Sequence, residues 1–181
     1  MKYTLVFIIL LSGLFACRKS SSNKKDQLPP ITQTGANTFG CLVNGQVFTP
    51  QGFEQNHPAF DMIVDPTFQN GNFGITVFNK KRKMHMDIGS NEINNIGVYP
   101  INDFTRLVTV SIYNDMTNCY FGPSMQCILT GPCYVNGNLT LSRYDLSNKI
   151  FSGTFEFTLY DPEISCDTFK ITQGRFDKKL N

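Results

Sequence analysis

The chain has 181 residues, 16 basic against 14 acidic side chains and a formal net charge of +2. That length suits one domain and hardly two. So small a charge excludes a dedicated nucleic-acid binder, which would carry a basic patch.

The first segment is an export signal. Lys2 opens it, the apolar run Leu5–Leu14 follows, and Leu14-Phe15-Ala16 leads into Cys17. A charged start, a short apolar stretch and a small residue before the cut define a secretory signal peptide. The run is too short for a membrane span, which needs about 20 residues. Cys17 directly after Leu-x-Ala resembles the bacterial lipobox, where the chain is cut before the cysteine and the thiol receives a diacylglyceryl group. Two acyl chains make a stable anchor, where one gives only marginal binding. The alternative is ordinary secretion with Cys17 left as an unmodified thiol. Residues 1–16 therefore read as a lipoprotein signal, with the membrane as partner through the lipid on Cys17.

Residues 17–38 read as the lipidated cysteine and a disordered tether, rich in Ser, Lys, Asn, Pro and Gly and poor in large apolar residues. Arg18, Lys19, Lys24 and Lys25 stand against Asp26 alone, so this stretch can lie against anionic headgroups or serve simply as a solubilising spacer. Residues 39–181 carry 11 basic and 13 acidic residues and read as a single β domain.

In that domain the apolar period is two. Phe73, Ile75 and Val77 alternate with Gly74 and Thr76; Met84, Met86 and Ile88 oppose His85 and Asp87; Val108, Val110 and Ile112 oppose Thr109 and Ser111. Leu139 and Leu141, then Phe151, Gly153, Phe155, Phe157 and Leu159, then Phe169 and Ile171 continue the pattern. Asn44-Gly45 between two apolar runs is a strong hairpin signal. Asn79–Lys83 and Asp145–Asn148 join further strands as exposed tips. About nine strands are expected, in an all-β antiparallel sandwich or, as the alternative, a closed barrel.

Five cysteines remain beyond Cys17: Cys41, Cys119, Cys127, Cys133 and Cys166. An exported chain lives where disulfides persist. Cys41 in the first strand and Cys166 before the last are expected to pair, worth about 4 kcal/mol in the chain-entropy picture. Cys119 is expected to bridge to Cys133 or to Cys127. Their spacings do not match zinc knuckles, so no metal is assigned.

No catalytic constellation stands out, and no cofactor is implied. His57 lies near Asp61 and Asp65, and His85 shares a strand face with Asp87, but such pairs usually belong to solvated faces. A hydrolase using either histidine is the weakest reading. Absent Trp argues against a lectin-like role, whereas Tyr113, Tyr120, Tyr134, Tyr144 and Tyr160 on outer faces or loops keep one open. A Phe-lined barrel for a lipophilic ligand is a further alternative.

Thr38-Phe39-Gly40-Cys41-Leu42-Val43-Asn44-Gly45, Ser152-Gly153-Thr154-Phe155-Glu156-Phe157 and Ile171-Thr172-Gln173-Gly174-Arg175-Phe176-Asp177 resemble the opening and closing strands of uncharacterised lipoproteins from Bacteroidota bacteria. The resemblance implies a lipobox, an all-β domain and the outer membrane of a Gram-negative cell, with no catalytic residues to carry over. The acidic run that often follows the lipidated cysteine in surface-exported relatives is replaced by Arg18-Lys19-Ser20, which favours a periplasmic face over surface display. The functional expectation is a lipid-anchored, non-catalytic binding or scaffolding domain, its partner an envelope protein or a glycan.

Overall fold

A computed structural model describes residues 27–54, 57–102, 107–116, 119–121, 134–162 and 168–181, with the side chains of residues 54 and 119 outside the description. The signal segment, Cys17, Cys127, Cys133 and Cys166 all lie outside the described residues.

Thirteen strands are described: β1 (Thr38–Val43), β2 (Gln46–Phe48), β3 (Phe53–Glu54), β4 (His57–Pro58), β5 (Phe60–Asp65), β6 (Asn72–Asn79) and β7 (Met84–Ser90). After these come β8 (Gly97–Asn102), β9 (Thr109–Asn114), β10 (Cys119–Phe121), β11 (Tyr134–Asp145), β12 (Ile150–Tyr160) and β13 (Thr168–Lys179). The excess over the expected nine consists of the short pieces β2, β3, β4 and β10, too brief to show an alternating pattern. One sheet has the order β2-β1-β13-β12-β11-β8, a second the order β10-β9-β7-β6-β5, and β3 and β4 form a small ribbon. The two large sheets are antiparallel and pack face to face as a sandwich, not as a closed barrel.

The core lies between them. Phe39 of β1 stacks on Phe155 of β12 at 5.3 Å and reaches Phe60 of β5 at 5.5 Å, while Phe73 of β6 meets Phe176 of β13 at 6.1 Å. Aromatic pairs of this kind add about 0.5–1.5 kcal/mol each beyond the area they bury. At the Asn44-Gly45 turn both residues have positive φ, 48° and 79°, the pairing that matches strand twist in a tight hairpin.

Two bulges reset the alternation. On β11 the register slips between Leu141 and Arg143, so the inward series Leu139, Leu141 continues at Tyr144. On β13 the slip falls at Gln173, whose φ is +52°, and the inward series Phe169, Ile171 continues at Phe176. Gly174 beside it has no room for a side chain, because a Cβ there would run into the Phe155 ring and carbonyl. Extra residues in one strand bend it and re-aim its side chains. Here they turn Asp177 onto the outer face, opposite Ser152 of β12.

That outer face explains the main departure from the tether expected over residues 17–38. Residues 27–37 are laid across the six-stranded sheet as a strap. The Asp177 carboxylate, 1% exposed, accepts hydrogen bonds from Thr32 Oγ1 (2.7 Å) and from the Thr34, Gly35 and Ala36 amides (2.9, 2.8 and 3.1 Å). Thr34 Oγ1 (3.4 Å) and Ser152 Oγ (2.7 Å) complete the set. Gly35 takes φ +76°, which lets successive amides converge on one anion. Arg143 donates to the Gln33 carbonyl and Arg175 to the Pro29 carbonyl (3.2 Å). Composition assigns this stretch to solvent, but a buried carboxylate far along the chain, together with Arg143 and Arg175, holds it in place.

Among the described residues the buried Tyr144 hydroxyl has no hydrogen-bond partner, and its ring is set edge-on to Phe151 at 5.1 Å. Tyr144→Phe should therefore leave stability unchanged or raise it by about 1 kcal/mol, measured as the midpoint of denaturant unfolding.

Candidate functional site

Cys41 departs from its expected pairing. It is a free thiol with no exposed surface, facing inward on β1. The strand register sets its neighbours Gly40 and Leu42 against Arg175 and Thr172, so Cys41 lies opposite the β13 bulge and not the start of that strand. The bridge with Cys166, inferred from strands adjacent in order, is thus not formed at Cys41. Burial pushes its thiol up to about 12, against a small opposing effect of Arg82. The expected bridge from Cys119 to Cys133 or Cys127 falls outside the described residues.

The two histidines stand on separate strands, His57 on β4 and His85 on β7. His57 is exposed on β4. Asp61 accepts from the Met62 amide (2.9 Å), and Asp65 from the Thr67 amide and hydroxyl (2.9 and 2.7 Å). His85 and Asp87 do share the outer face of the five-stranded sheet. There the His85 ring sits between Phe78 (5.6 Å) and Tyr113 (6.2 Å), and Tyr120 extends the row (6.2 Å). Asp87 accepts from Ser111 Oγ at 3.1 Å, so that hydroxyl serves the carboxylate and not the imidazole. Such cross-strand rows stabilise a sheet, and here Tyr113 and Tyr120 remain exposed at its outer end. No group of three or more His, Cys, Asp or Glu that could hold a metal occurs among the described residues.

A concavity lies on the opposite side, where the strap crosses the six-stranded sheet. Strand pairing lays out its floor in two rows. Val98 of β8, Thr140 of β11, Thr154 of β12 and Arg175 of β13 form one, and Asn138 sits opposite Glu156 in the next. Adjacent strands are about 4.8 Å apart and alternate residues about 6.8 Å, so the rows present polar groups on a regular grid. Ile31 of the strap forms a wall, and the cleft encloses about 410 Å³. Ile31 and Val98 are 62% and 65% exposed, two apolar side chains left uncovered on either side of a polar floor.

Chemically the floor is well supplied. Asn138 and Glu156 are both exposed and make no side-chain hydrogen bond among the described residues. Arg175 is fixed in place, Nε donating to the Gln173 carbonyl (3.1 Å) and Nη1 to Pro29. Glu156 is the one carboxylate among the described lining residues. Further along this face Tyr134 and Tyr160 stack at 5.3 Å. Sequence reasoning named both tyrosines but passed over the floor. Glu156 and Asn138 look like any outward residues of alternating strands, and Ile31 and Arg175 acquire their roles only once the strap is in place.

Burial alone would raise the Asp177 carboxyl, but the donors from Ser152, Thr32, Ala36 and Thr34 outweigh it and hold it well below the usual carboxylate range. A depressed pKa gives stability that is complete above the unfolded value near 3.9 and lost as pH falls through the folded value. The stability difference between wild type and Asp177→Asn should be flat between about pH 5 and 8 and shrink below about pH 4, read by denaturant unfolding. Alkylation followed by peptide mapping should label Cys41 only after unfolding, since neither access nor thiolate is present in the folded chain.

A scan against known protein families, a search of curated proteins and a search of solved structures each found no match to this chain.

Proposed function

We propose that the protein is a lipid-anchored, non-catalytic binding domain of the cell envelope, and that the cleft beside the strap takes a glycan. The observation that carries this is the free hydrogen-bonding capacity of Asn138 and Glu156 on a floor of threonines, flanked by exposed Ile31 and Val98. A sugar ring has the matching chemistry, hydroxyls around its rim and apolar C–H faces. The volume lies within the usual range for ligand sites, about 300–1,000 Å³. A lone carboxylate favours binding over hydrolysis, because glycosidases use a pair. The space between the sheets is filled by phenylalanines such as Phe39, Phe48 and Phe155, which favours an outer-face ligand over a lipophilic cargo.

The anchor reading rests on Lys2, the apolar run and Ala16-Cys17, with Arg18-Lys19 and Lys24-Lys25 beside the membrane. From Cys17 to the strap at Gln27 is ten residues, a reach of about 35 Å at full extension. Such a domain works close to the bilayer that anchors it, with the outer membrane, periplasmic side, as the favoured location.

The full chain in detergent should bind neutral oligosaccharides on a glycan array. Glu156→Gln with Asn138→Ala should weaken that binding about tenfold or more, the equivalent of about 1.5–3 kcal/mol for a hydrogen bond to a charged group. An array with no binder, alongside cross-linking in intact cells that captures a protein at Glu156, would replace the glycan with a protein partner.

A further inference from the structure

We propose that Asp177 is a positioning residue for the cleft, holding the strap so that Ile31 stands as its wall, and that filling the cleft and docking the strap stabilise one another. The proposal rests on the glycan reading above and deepens it.

Four observations support it. The strap lies outside the strands of the sheet, so its position depends on a few side-chain anchors rather than on a ladder. Asp177 supplies most of these, receiving Thr32, Thr34, Gly35 and Ala36 within five consecutive positions. Ile31 immediately precedes that cluster, and its side chain is mostly exposed. Docking the strap therefore leaves an uncovered apolar group facing the cleft, which a ligand would cover together with Val98. Arg175 links the two parts directly, because its guanidinium lines the cleft while donating to the strap's Pro29 carbonyl. A ligand that touches Ile31 binds only the docked arrangement, and by linkage it must favour docking by the same factor that docking favours it.

Hydrogen–deuterium exchange on the full chain in detergent micelles tests this, read on the peptide covering residues 28–36 with and without chitotetraose, a neutral oligosaccharide. Asp177→Asn should speed exchange of that peptide about tenfold or more while β6 and β7 keep their wild-type protection. The same variant should weaken chitotetraose binding, and chitotetraose should slow strap exchange in wild type. Ile31→Ser should weaken binding yet leave strap exchange without ligand unchanged, an effect that a purely structural role for the strap would not produce. Thr32→Val with Thr34→Val, which removes donors and keeps the carboxylate, should reproduce the faster exchange if Asp177→Asn fails to fold. Equal strap exchange in wild type and the latch variants overturns the proposal. So does a released strap with undiminished binding, although the cleft as a glycan site then survives. If wild type does not bind chitotetraose and no array sugar binds, the glycan reading falls, and the coupling to ligand falls with it.

Discussion

The buried carboxylate of Asp177 is the point on which the arrangement of this domain turns. An ionised group withdrawn from water is costly unless its acceptor sites are filled. Six donors fill them here, five from the strap and one from Ser152. Charge-assisted bonds of this kind are about twice as strong as neutral ones. The rest of the hold on the strap comes from Leu28 and Pro29, half-buried beside Gly40, and from Arg143 and Arg175 on the Gln33 and Pro29 carbonyls. Electrostatics thus does for residues 32–36 what apolar burial does for the strands.

The bulge at Gln173 makes this possible. Without an extra residue, a strand that points Ile171 inward would also point Asp177 inward, because both numbers are odd. The slip reverses the parity, so Phe176 enters the core and Asp177 turns out toward Ser152. Gly174 accepts the Phe155 ring where a side chain would otherwise stand. One backbone irregularity therefore supplies the core with an aromatic residue and the outer face with its anchor. The Ser142 bulge acts in the same way on β11, turning Arg143 toward the strap and Tyr144 inward.

These irregularities also mark where the sequence stops being legible. Alternation alone identifies β6, β7, β9 and β12, whose apolar residues keep a constant parity. It finds only the first half of β13 and a short stretch of β11, because Phe176 and Tyr144 fall out of phase beyond the bulges. The strap is hidden for a different reason. Its stabilising partner is one acidic residue some 140 positions away, and composition is blind to pairings of that range. The Cys41 expectation fails on register, which strand order does not supply. The candidate site inherits all three gaps: its floor needs the pairing of β11 with β12, its cation needs the β13 bulge, and its wall needs the strap.

The connection between Asp177 and the strap spans up to 145 positions, and among the described strands β1 pairs with β2 and β13. The first described part of the domain and the last strand are therefore finished together. In a chain made amino end first, Thr32, Thr34, Gly35 and Ala36 lack the Asp177 carboxylate, and β1 has β2 but not β13 beside it, until the carboxyl end has followed. Contacts so distant in sequence close slowly, since the loop entropy must be overcome before the contact forms. The five-stranded sheet, in which β5, β6 and β7 pair with their neighbours in sequence, can assemble while that wait lasts. A chain cut short before residue 177 would leave the strap without its carboxylate anchor and β1 without part of its β13 partner, so completion of the carboxyl end is itself the signal that closes the fold.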